Sequence, residues 1–178
     1  MAPTAPVPPD ASTRHTVLDT DLGPLTAVVD DAGLAGLYFP GHWTRPDAAL
    51  WGPLVEVADD PVATALATQL TEYLAGGRDA FDVPLHLVGP PFGQRVWELL
   101  LAIPYGSTTT YGALAAAIGN THARAVGRFV GGNPVSILVP CHRVVGADGS
   151  LTGYAGGLDR KRRLLELEGA LVTPPSLF

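Results

Sequence analysis

The first half of the chain alternates short apolar stretches with turn residues, which is the pattern of a small β-sheet. Residues 25–29 and 34–39 have the length and composition of short strands, and residues 15–18 form a shorter, partly apolar stretch before them. Residues 30–33, Asp-Asp-Ala-Gly, favour a tight turn. The pattern therefore predicts an antiparallel hairpin over residues 25–39.

A helix is predicted after a loop rich in proline, glycine and tryptophan. Asp60 is a typical N-cap residue, Pro61 suits the first helical position, and Gly76-Gly77 suits the helix end. The apolar side chains between them recur at helical spacing, at Leu66, Leu70, Tyr73 and Leu74. Hairpin and helix together predict a small N-terminal α/β domain with an antiparallel sheet, over residues 14–89.

The second half has helical periodicity. Residues 92–103 carry apolar side chains at helical spacing, and Thr110 is placed to cap a short helix that ends at Ile118. Residues 119–121, Gly-Asn-Thr, favour a tight turn, and a second short helix is predicted over residues 122–130. Two short helices across such a turn form a helix-turn-helix pattern, which also occurs in helical proteins that never contact DNA.

The last part of the chain combines a buried segment, a turn and a closing helix. Residues 135–139 are apolar except for one serine and predict a buried strand, and residues 144–149 predict the start of a hairpin. Residues 158–168 predict a helix with Gly169 after its end. Residues 90–178 are therefore predicted to form a mostly helical C-terminal domain with a winged-helix-like helix-turn-helix. The fold class predicted for the whole chain is α+β.

Composition narrows the class of protein. Residues 1–13 are rich in proline and alanine and have neither a basic start nor an apolar core, which predicts a disordered tail and not a signal peptide. No apolar run approaches the ~20 residues that a membrane helix needs, so no membrane partner is expected. The single cysteine, Cys141, allows neither an internal disulfide nor a cysteine-rich metal site. The interpretation is a cytoplasmic protein.

Charge is distributed unevenly between the two halves. The net charge of −6 argues against a nucleic-acid partner. Residues 1–91, however, hold three Arg and twelve acidic residues, a balance of −9, whereas residues 92–178 hold eight basic and five acidic residues, a balance of +3. Such an asymmetry permits a DNA-binding second half without proving one.

Candidate chemistry is concentrated at Pro140-Cys141-His142-Arg143. Nucleophilic cysteine chemistry needs the thiolate, and adjacent basic groups raise the thiolate fraction. The preceding proline fixes the backbone that directs the sulfur. The residues alone leave a second interpretation open, because a lone cysteine in a cytosolic protein is usually a buried structural one.

The sequence around this cysteine closely resembles the active-site segment of the O6-alkylguanine-DNA alkyltransferases, also called methylated-DNA–protein cysteine methyltransferases. The resemblance covers residues 92–169, and its most specific part runs from Asn133-Pro134 to Cys141-His142-Arg143. The segments that carry it are 92–97, 103–106, 124–127, 133–145, 153–158 and 165–169. The N-terminal half matches the family only in length and in the order of strands and helix.

The resemblance implies a catalytic role for each residue that matches a family motif. Cys141 is the implied nucleophile and permanent alkyl acceptor, His142 relays its proton through a water, and Glu168 orients and polarises His142. Asn133 braces the turn that leads to the cysteine, and Tyr111 donates to the guanine as it leaves. This is the general arrangement of a nucleophile, a base and an orienting group. No metal and no organic cofactor is implied.

The resemblance also implies how the protein binds double-stranded DNA that contains O6-alkylguanine. The target atom is inaccessible in a stacked duplex, so the nucleotide is flipped out and Arg124 fills the gap. The second helix of the pair lies in the minor groove, largely independently of base sequence. Arg128 is expected at a phosphate or in solvent. The implied DNA-binding residues are Ala123, Arg124, Ala125, Gly127 and Arg128, and the implied base pocket is lined by Val139, Tyr154 and Ala155.

The implied function is direct DNA repair by a single-turnover protein that acts as a monomer. It would move an alkyl group such as methyl from O6 of guanine onto Cys141, with O4 of thymine as a further candidate donor. Two alternatives are kept: an alkyltransferase-like protein that binds damaged guanine without transfer, and a cysteine hydrolase that uses Cys141 and His142. The first usually lacks the cysteine, and the second usually takes its base from a distant part of the chain.

The chain departs from the family pattern in three ways. Residues 119–124 are one residue shorter than in common members, which turns the helix start by ~100° unless the turn absorbs the change. Ala155 stands where many members have serine, which removes a hydrogen bond to the O6 substituent. Some members carry a structural zinc in the N-terminal half, and this chain lacks the cysteines for it.

Overall fold

The chain folds as a small antiparallel sheet and a set of short helices that share one core. The computed structural model describes residues 12–42, 45–119 and 123–171. The largest cluster of buried apolar side chains takes members from the sheet, from every helix and from the segment before Cys141. No helix in the described part is long and apolar enough to cross a bilayer. The predicted α+β class is confirmed, while the division at residue 90 stays a prediction.

The sheet has the strand order β1 (Arg14–Leu18), β2 (Leu25–Asp30) and β3 (Gly33–Tyr38), with both pairs antiparallel. The Asp30 carboxylate accepts hydrogen bonds from two turn amides, those of residues 32 and 33, at 2.9 and 3.1 Å. Gly33 is required there, because a Cβ atom would lie 2.4 Å from the Pro84 carbonyl oxygen. The hairpin predicted from the sequence is confirmed.

Helix α1 (Pro61–Leu74) packs against the sheet. The Asp60 side chain caps it by accepting from the Ala63 amide at 2.8 Å, and Pro61 occupies the first turn. The predicted apolar stripe is buried except for Leu74, which is half-buried. Gly76 adopts a φ of 75° just after the helix, which is the left-handed conformation that glycine allows at a helix end. The predicted helix is confirmed.

Three helices open the second half: α2 (Pro91–Leu101), α3 (Tyr111–Ala117) and α4 (Ala123–Gly131). The Thr110 hydroxyl caps α3 by accepting from the amide of residue 113 at 3.1 Å, as predicted. The Trp97 indole donates to the Phe129 carbonyl at 2.9 Å, which ties α2 to α4. The pair of short helices is confirmed. Most of the predicted turn between them, and the contraction within it, fall on residues 120–122, which lie outside the described residues.

The buried strand predicted over residues 135–139 is wrong. Only Val135 bridges to β3, at Leu37, and the remainder folds into tight turns with local hydrogen bonds. Ile137 has a φ of 74°, a conformation that costs a β-branched residue strain and that no strand contains. The segment is apolar because it is buried. It bends because the Asn133 side chain hydrogen-bonds both of its ends, the Val135 amide and the Val139 carbonyl.

The hairpin predicted to start at residue 144 is also not formed as expected. Strand β5 (Val144–Val145) pairs in parallel with β4 (Thr109–Thr110), which immediately precedes α3. Residues 146–150 form a turn closed by a hydrogen bond from the Gly146 amide to the Ser150 carbonyl. The parallel pairing connects the cysteine segment directly to the start of the helix pair.

Helix α5 (Leu158–Leu167) closes the fold. Glu168 is its C-cap residue, and Gly169 follows with a φ of 71°, as the sequence predicted. The helix end is therefore fixed at the residue that carries the candidate orienting carboxylate.

Candidate active site around Cys141

Cys141 begins a short 3₁₀ turn, Cys141–Arg143, which lies between residues 135–139, called the bent segment below, and β5. Its amide donates to the Val139 carbonyl at 2.8 Å, and the Arg143 amide donates to Pro140 at 3.0 Å. The turn places three side chains in the interior in succession, and Cys141 is only 5% exposed. The sulfur therefore lies in the interior of the protein and not on its surface.

Asn133 connects both ends of the bent segment. Its Nδ2 donates to the Val139 carbonyl at 2.8 Å and to Cys141 Sγ at 3.1 Å, while its Oδ1 accepts from the Val135 amide at 3.0 Å. One buried amide thus uses its acceptor and both of its donor directions on this segment. The sequence placed Asn133 at the turn, and the structure brings it into contact with the sulfur itself.

Glu168 and His142 form a fully buried pair. His142 Nε2 lies 2.9 Å from Glu168 Oε1, and neither side chain is exposed. Burial raises the pKa of Glu168, but hydrogen bonds from His142 and Arg143 outweigh it and lower the pKa to about 2. Because an ionised carboxylate only accepts, Nε2 carries the hydrogen and Nδ1 carries the lone pair. Burial lowers the pKa of His142 below its usual range, so the ring is neutral at pH 7.

Two residues that the sequence did not identify also bind Glu168. Arg143 donates through Nε to Oε2 and through Nη2 to Oε1, both at 2.9 Å, and its Nη1 donates to the Ile103 carbonyl at 2.6 Å. The Tyr73 hydroxyl donates to Oε1 at 2.5 Å. Arg143 stood within the motif, but no periodic signal pointed to the hydroxyl of Tyr73, which the sequence marks only as an apolar helix position.

Lys161 is a buried cation close to the thiol. Its Nζ donates to the Val144 and Thr152 carbonyls, both at 2.6 Å, and burial lowers its pKa to about 8. Within the run 160–163 it looks like a surface residue. Its spacing of four residues to Leu165 and seven to Glu168 is the signal that places it on the buried face.

The thiol itself is protonated in the resting protein. Burial raises the pKa of Cys141 to about 11, although the Asn133 hydrogen bond and the charge of Lys161 both act to lower it. A neighbouring base is therefore needed before the sulfur can act as a nucleophile at neutral pH.

Of the predicted pocket residues, Tyr154 lies close to His142, the chain neighbour of this thiol. The buried ring of Tyr154 meets the His142 ring edge-on at 6.5 Å and the Phe39 ring at 6.2 Å. Ala155 is half-buried beside it, and the Val139 carbonyl is the acceptor already used by Asn133.

Tyr111, at the start of α3, is half-buried next to the same loop. Its hydroxyl lies 3.5 Å from the Thr152 carbonyl. A Cβ atom on Gly127 would lie 3.7 Å from its ring, so α4 approaches Tyr111 closely at a glycine. Tyr111 therefore lies between the loop that contains Thr152 and helix α4.

Helix α4 presents a polar surface beside the site. Ala123, Arg124 and Arg128 are exposed, and Ala125 and Gly127 are half-buried. The helix buries only Val126 and Val130, so its outer face is free to meet another molecule. Across the described ranges, no cluster of three or more histidine, cysteine or acidic side chains could hold a metal ion.

Two family models match the chain in succession. Residues 13–87 match the ribonuclease-like domain of 6-O-methylguanine DNA methyltransferases, and residues 91–170 match their DNA-binding domain. The two matches together span nearly all of the described residues.

Individual relatives agree with the family models. The methylated-DNA–protein-cysteine methyltransferase of Mycobacterium bovis is 47% identical over 87% of this chain and 92% of that protein. The inducible enzyme of the same name from Bacillus subtilis is 44% identical over 76% of this chain and 80% of that protein. The crystal structure of Mycobacterium tuberculosis OGT in complex with DNA has a TM-score of 0.77 at 45% identity, covering 88% of this chain and 93% of that one. The chain therefore belongs to the methylated-DNA–protein-cysteine methyltransferase family.

Proposed function

We propose that this protein repairs DNA by moving the alkyl group of O6-alkylguanine onto Cys141, where it stays. The observation that carries the proposal is one buried cluster. In it, the Asn133 amide donates to the Cys141 sulfur, and His142, the next residue of the same 3₁₀ turn, is hydrogen-bonded to Glu168. It contains a nucleophile, a base and an orienting carboxylate. Family membership supports the type of reaction, and the geometry of the cluster supports the role proposed for each residue.

The proton of the thiol moves first. His142 Nδ1 carries the lone pair, and no described protein atom hydrogen-bonds it, so it is free to take the Cys141 proton through a bridging water. Glu168 stabilises the imidazolium that forms. The thiolate keeps the Asn133 hydrogen bond and lies in the field of Lys161, which offset part of the cost of a buried negative charge.

Alkyl transfer then follows as a displacement at carbon. The bond from sulfur to the alkyl carbon forms as the bond from that carbon to O6 breaks, and the electron pair stays with the guanine. The guanine takes up one proton and the His142 imidazolium gives one up, so both end neutral. Tyr111 donates a hydrogen bond to the leaving base. The thioether at Cys141 is a poor leaving group, so each molecule acts once.

The protein binds DNA, as its relative from Mycobacterium tuberculosis does in the crystal. In our proposal, α4 enters the minor groove, its small residues allow close approach, and Arg124 fills the gap left by the flipped nucleotide. The exposed positions of Ala123, Arg124 and Arg128 support this, as does the +3 balance of residues 92–178. Flipping brings the damaged guanine to the pocket of Tyr154 and Ala155, with O4-alkylthymine as a second candidate substrate.

The acting unit is proposed to be a monomer in the cytoplasm. All described side chains of the site come from one chain, so a second copy is not needed to complete it. The nucleophile is a free thiol, and a reducing compartment keeps it available for reaction.

Intact-protein mass spectrometry after incubation with O6-benzylguanine tests this proposal. We expect the mass of one benzyl group per chain, located on Cys141 by peptide mapping, and no gain in a Cys141→Ser control. With excess alkylated duplex DNA, repair should stop at one guanine per chain. Repair that continues beyond one equivalent would indicate a hydrolase, and DNA binding without any mass gain would indicate a non-transferring alkyltransferase-like protein.

A further inference from the structure

A tyrosine from the first half of the chain reaches the catalytic carboxylate. Tyr73, on α1, is fully buried, and its hydroxyl donates to Glu168 Oε1, 95 residues away in sequence. Its ring packs against Phe81 at 5.1 Å and against Tyr105 at 6.1 Å. The N-terminal half therefore holds one hydrogen bond directly to the proposed reaction machinery.

We propose that Tyr73 is a positioning residue whose hydroxyl, acting through Glu168, limits how strongly the carboxylate attracts the His142 imidazole. The inference rests on the proposed role of His142 as the base that takes the Cys141 proton. The hydrogen bond of the Tyr73 side chain goes to Glu168, so we assign its effect on His142 to that contact.

Competition for one oxygen is the physical basis. Glu168 Oε1 accepts from Tyr73, from His142 Nε2 and from Arg143 Nη2, whereas Oε2 accepts from Arg143 Nε and, at 3.4 Å, from the Gly106 amide. A carboxylate oxygen has about two lone-pair directions, so three donors share Oε1 unequally. Each donor lowers the negative charge density on Oε1, so the hydrogen bonds from the other donors to that oxygen become weaker.

Arg143 already fixes the geometry of the carboxylate. Its two nitrogens grip both oxygens at 2.9 Å, so removal of the Tyr73 hydroxyl leaves Glu168 in place. The change is in the strength of Glu168 Oε1 as a hydrogen-bond acceptor for His142 Nε2. The phenol cannot reverse its role, because burial and then the charge of Glu168 raise the pKa of Tyr73 far above neutral pH.

Within the part of the chain that the structure describes, Glu168 is the carboxylate that hydrogen-bonds His142. The ionisable groups that face Glu168 or His142 come from α1, the loop after α2, the 3₁₀ turn, the loop before α5 and α5: Tyr73, Tyr105, Cys141, Arg143, Tyr154 and Lys161. The cations among them disfavour the imidazolium. With Tyr73 also drawing on Oε1, His142 stays neutral and available as a base.

The test removes only the hydroxyl, in Tyr73→Phe. The decisive readout is the NMR signal of the His142 Nε2 proton, which moves downfield as its acceptor becomes stronger. We expect a downfield shift in Tyr73→Phe and no shift in Tyr105→Phe, a matched control in the same aromatic cluster whose hydroxyl donates instead to the Leu167 carbonyl at 3.2 Å. An unchanged Nε2 proton signal in folded Tyr73→Phe would overturn the proposal.

Kinetics provide a second readout that a packing defect would not move. A stronger acceptor raises the pH at which His142 takes up a proton, so the rate of Tyr73→Phe relative to wild type should fall as the pH is lowered. A rise of about half a pH unit corresponds to at most about a threefold fall. A packing defect would lower the rate by one factor at every pH.

The contact can also be tested from its other side, should Tyr73→Phe fold poorly. In the wild-type protein the Tyr73 hydroxyl proton should be slow to exchange and strongly downfield, and Glu168→Gln should move it upfield because the acceptor loses its charge. A hydroxyl proton unaffected by Glu168→Gln would contradict the proposal. These NMR measurements need no reaction, so a wild-type protein that accepts no benzyl group would refute the proposed function separately.

Discussion

The Asn133 side-chain amide donates to Cys141 Sγ at 3.1 Å while the same nitrogen donates to the Val139 carbonyl at 2.8 Å. A sulfur that is only 5% exposed has lost most of its contact with water, so this donor replaces part of the solvation that a thiolate needs. Asn133 therefore contributes both to the geometry of residues 135–139 and, together with Lys161, to the stability of the reactive anion.

Asn133→Asp should slow alkyl transfer strongly. The new side chain keeps the acceptor for the Val135 amide, but it loses both donors and places a carboxylate next to the sulfur. A hydrogen bond to a charged group contributes about 1.5–3 kcal/mol, so we expect the rate with O6-benzylguanine to fall roughly 10- to 100-fold at pH 7.5.

The matched measurement is the pH dependence of that rate. The loss of a donor to the thiolate raises the pKa of Cys141 further above its wild-type value of about 11. Because both pKa values lie well above 9, the thiolate fractions of the two proteins rise in parallel with pH, so the defect of Asn133→Asp should stay nearly constant from pH 7 to pH 9. A rate within twofold of wild type at pH 7.5 would show that the amide only shapes the turn.

The elements that the sequence predicted are those whose cause is local. Asp60 followed by Pro61 starts α1 because a carboxylate acceptor and a fixed φ both act within one turn. Gly169 ends α5 for the same kind of reason. The candidate nucleophile at Cys141 could also be predicted, because the types of the neighbouring residues themselves indicate nucleophilic cysteine chemistry.

The features that the sequence did not predict depend on contacts made only in the folded chain. Residues 135–139 are apolar enough for a strand, yet Asn133 and the left-handed Ile137 fold them into turns. Tyr73 looked like a core residue, since only the end of α5 gives its hydroxyl a partner. Lys161 sat in a basic run, and its burial follows from carbonyls at residues 144 and 152.

Arg124→Ala should separate binding of the duplex from chemistry at the thiol. The side chain is exposed on α4 and away from the buried cluster, so reaction with free O6-benzylguanine should stay within about twofold of wild type. Repair of alkylated duplex DNA should slow much more, because a flipped nucleotide leaves a gap that Arg124 is proposed to fill.

Arg128→Ala is the matched control for that experiment. It removes the same charge from an exposed position one helical turn away on α4, so loss of charge alone would affect both variants equally on duplex DNA. Equal losses on free base and duplex for Arg124→Ala would assign Arg124 a structural role.

His42 should make the fold sensitive to mild acid. Burial and then the charge of Arg45 lower the pKa of His42 to about 4. The unfolded chain takes up this proton below about pH 6.5, whereas the folded chain does so only near pH 4, so the free energy of unfolding falls across that window. From pH 6.5 to 5 the contribution of His42 is up to about 2 kcal/mol.

Urea unfolding at pH 7 and pH 5 measures this contribution. His42→Gln should lose less stability between the two pH values than wild type does, whatever its stability at pH 7. His142 also has a lowered pKa, but it is present in both proteins and cancels from the comparison. Parallel pH dependence in the two proteins would mean that His42 is protonated in the folded state at pH 5.

The alkylated protein should be less stable than the free one. The sulfur of Cys141 is enclosed by the protein, with Asn133 in contact and the ring of Tyr154 close to the adjoining His142, so an added alkyl group must displace packed atoms. Overpacking of this kind costs about 1–3 kcal/mol, which corresponds to a melting temperature lower by roughly 2–10 °C. Thermal unfolding before and after reaction measures the change, and Cys141→Ser exposed to the same reagent should show none. The effect should grow from methyl to benzyl, since it follows the added volume. A melting temperature that stayed constant or rose with the larger group would mean that the pocket holds preformed space for the alkyl chain.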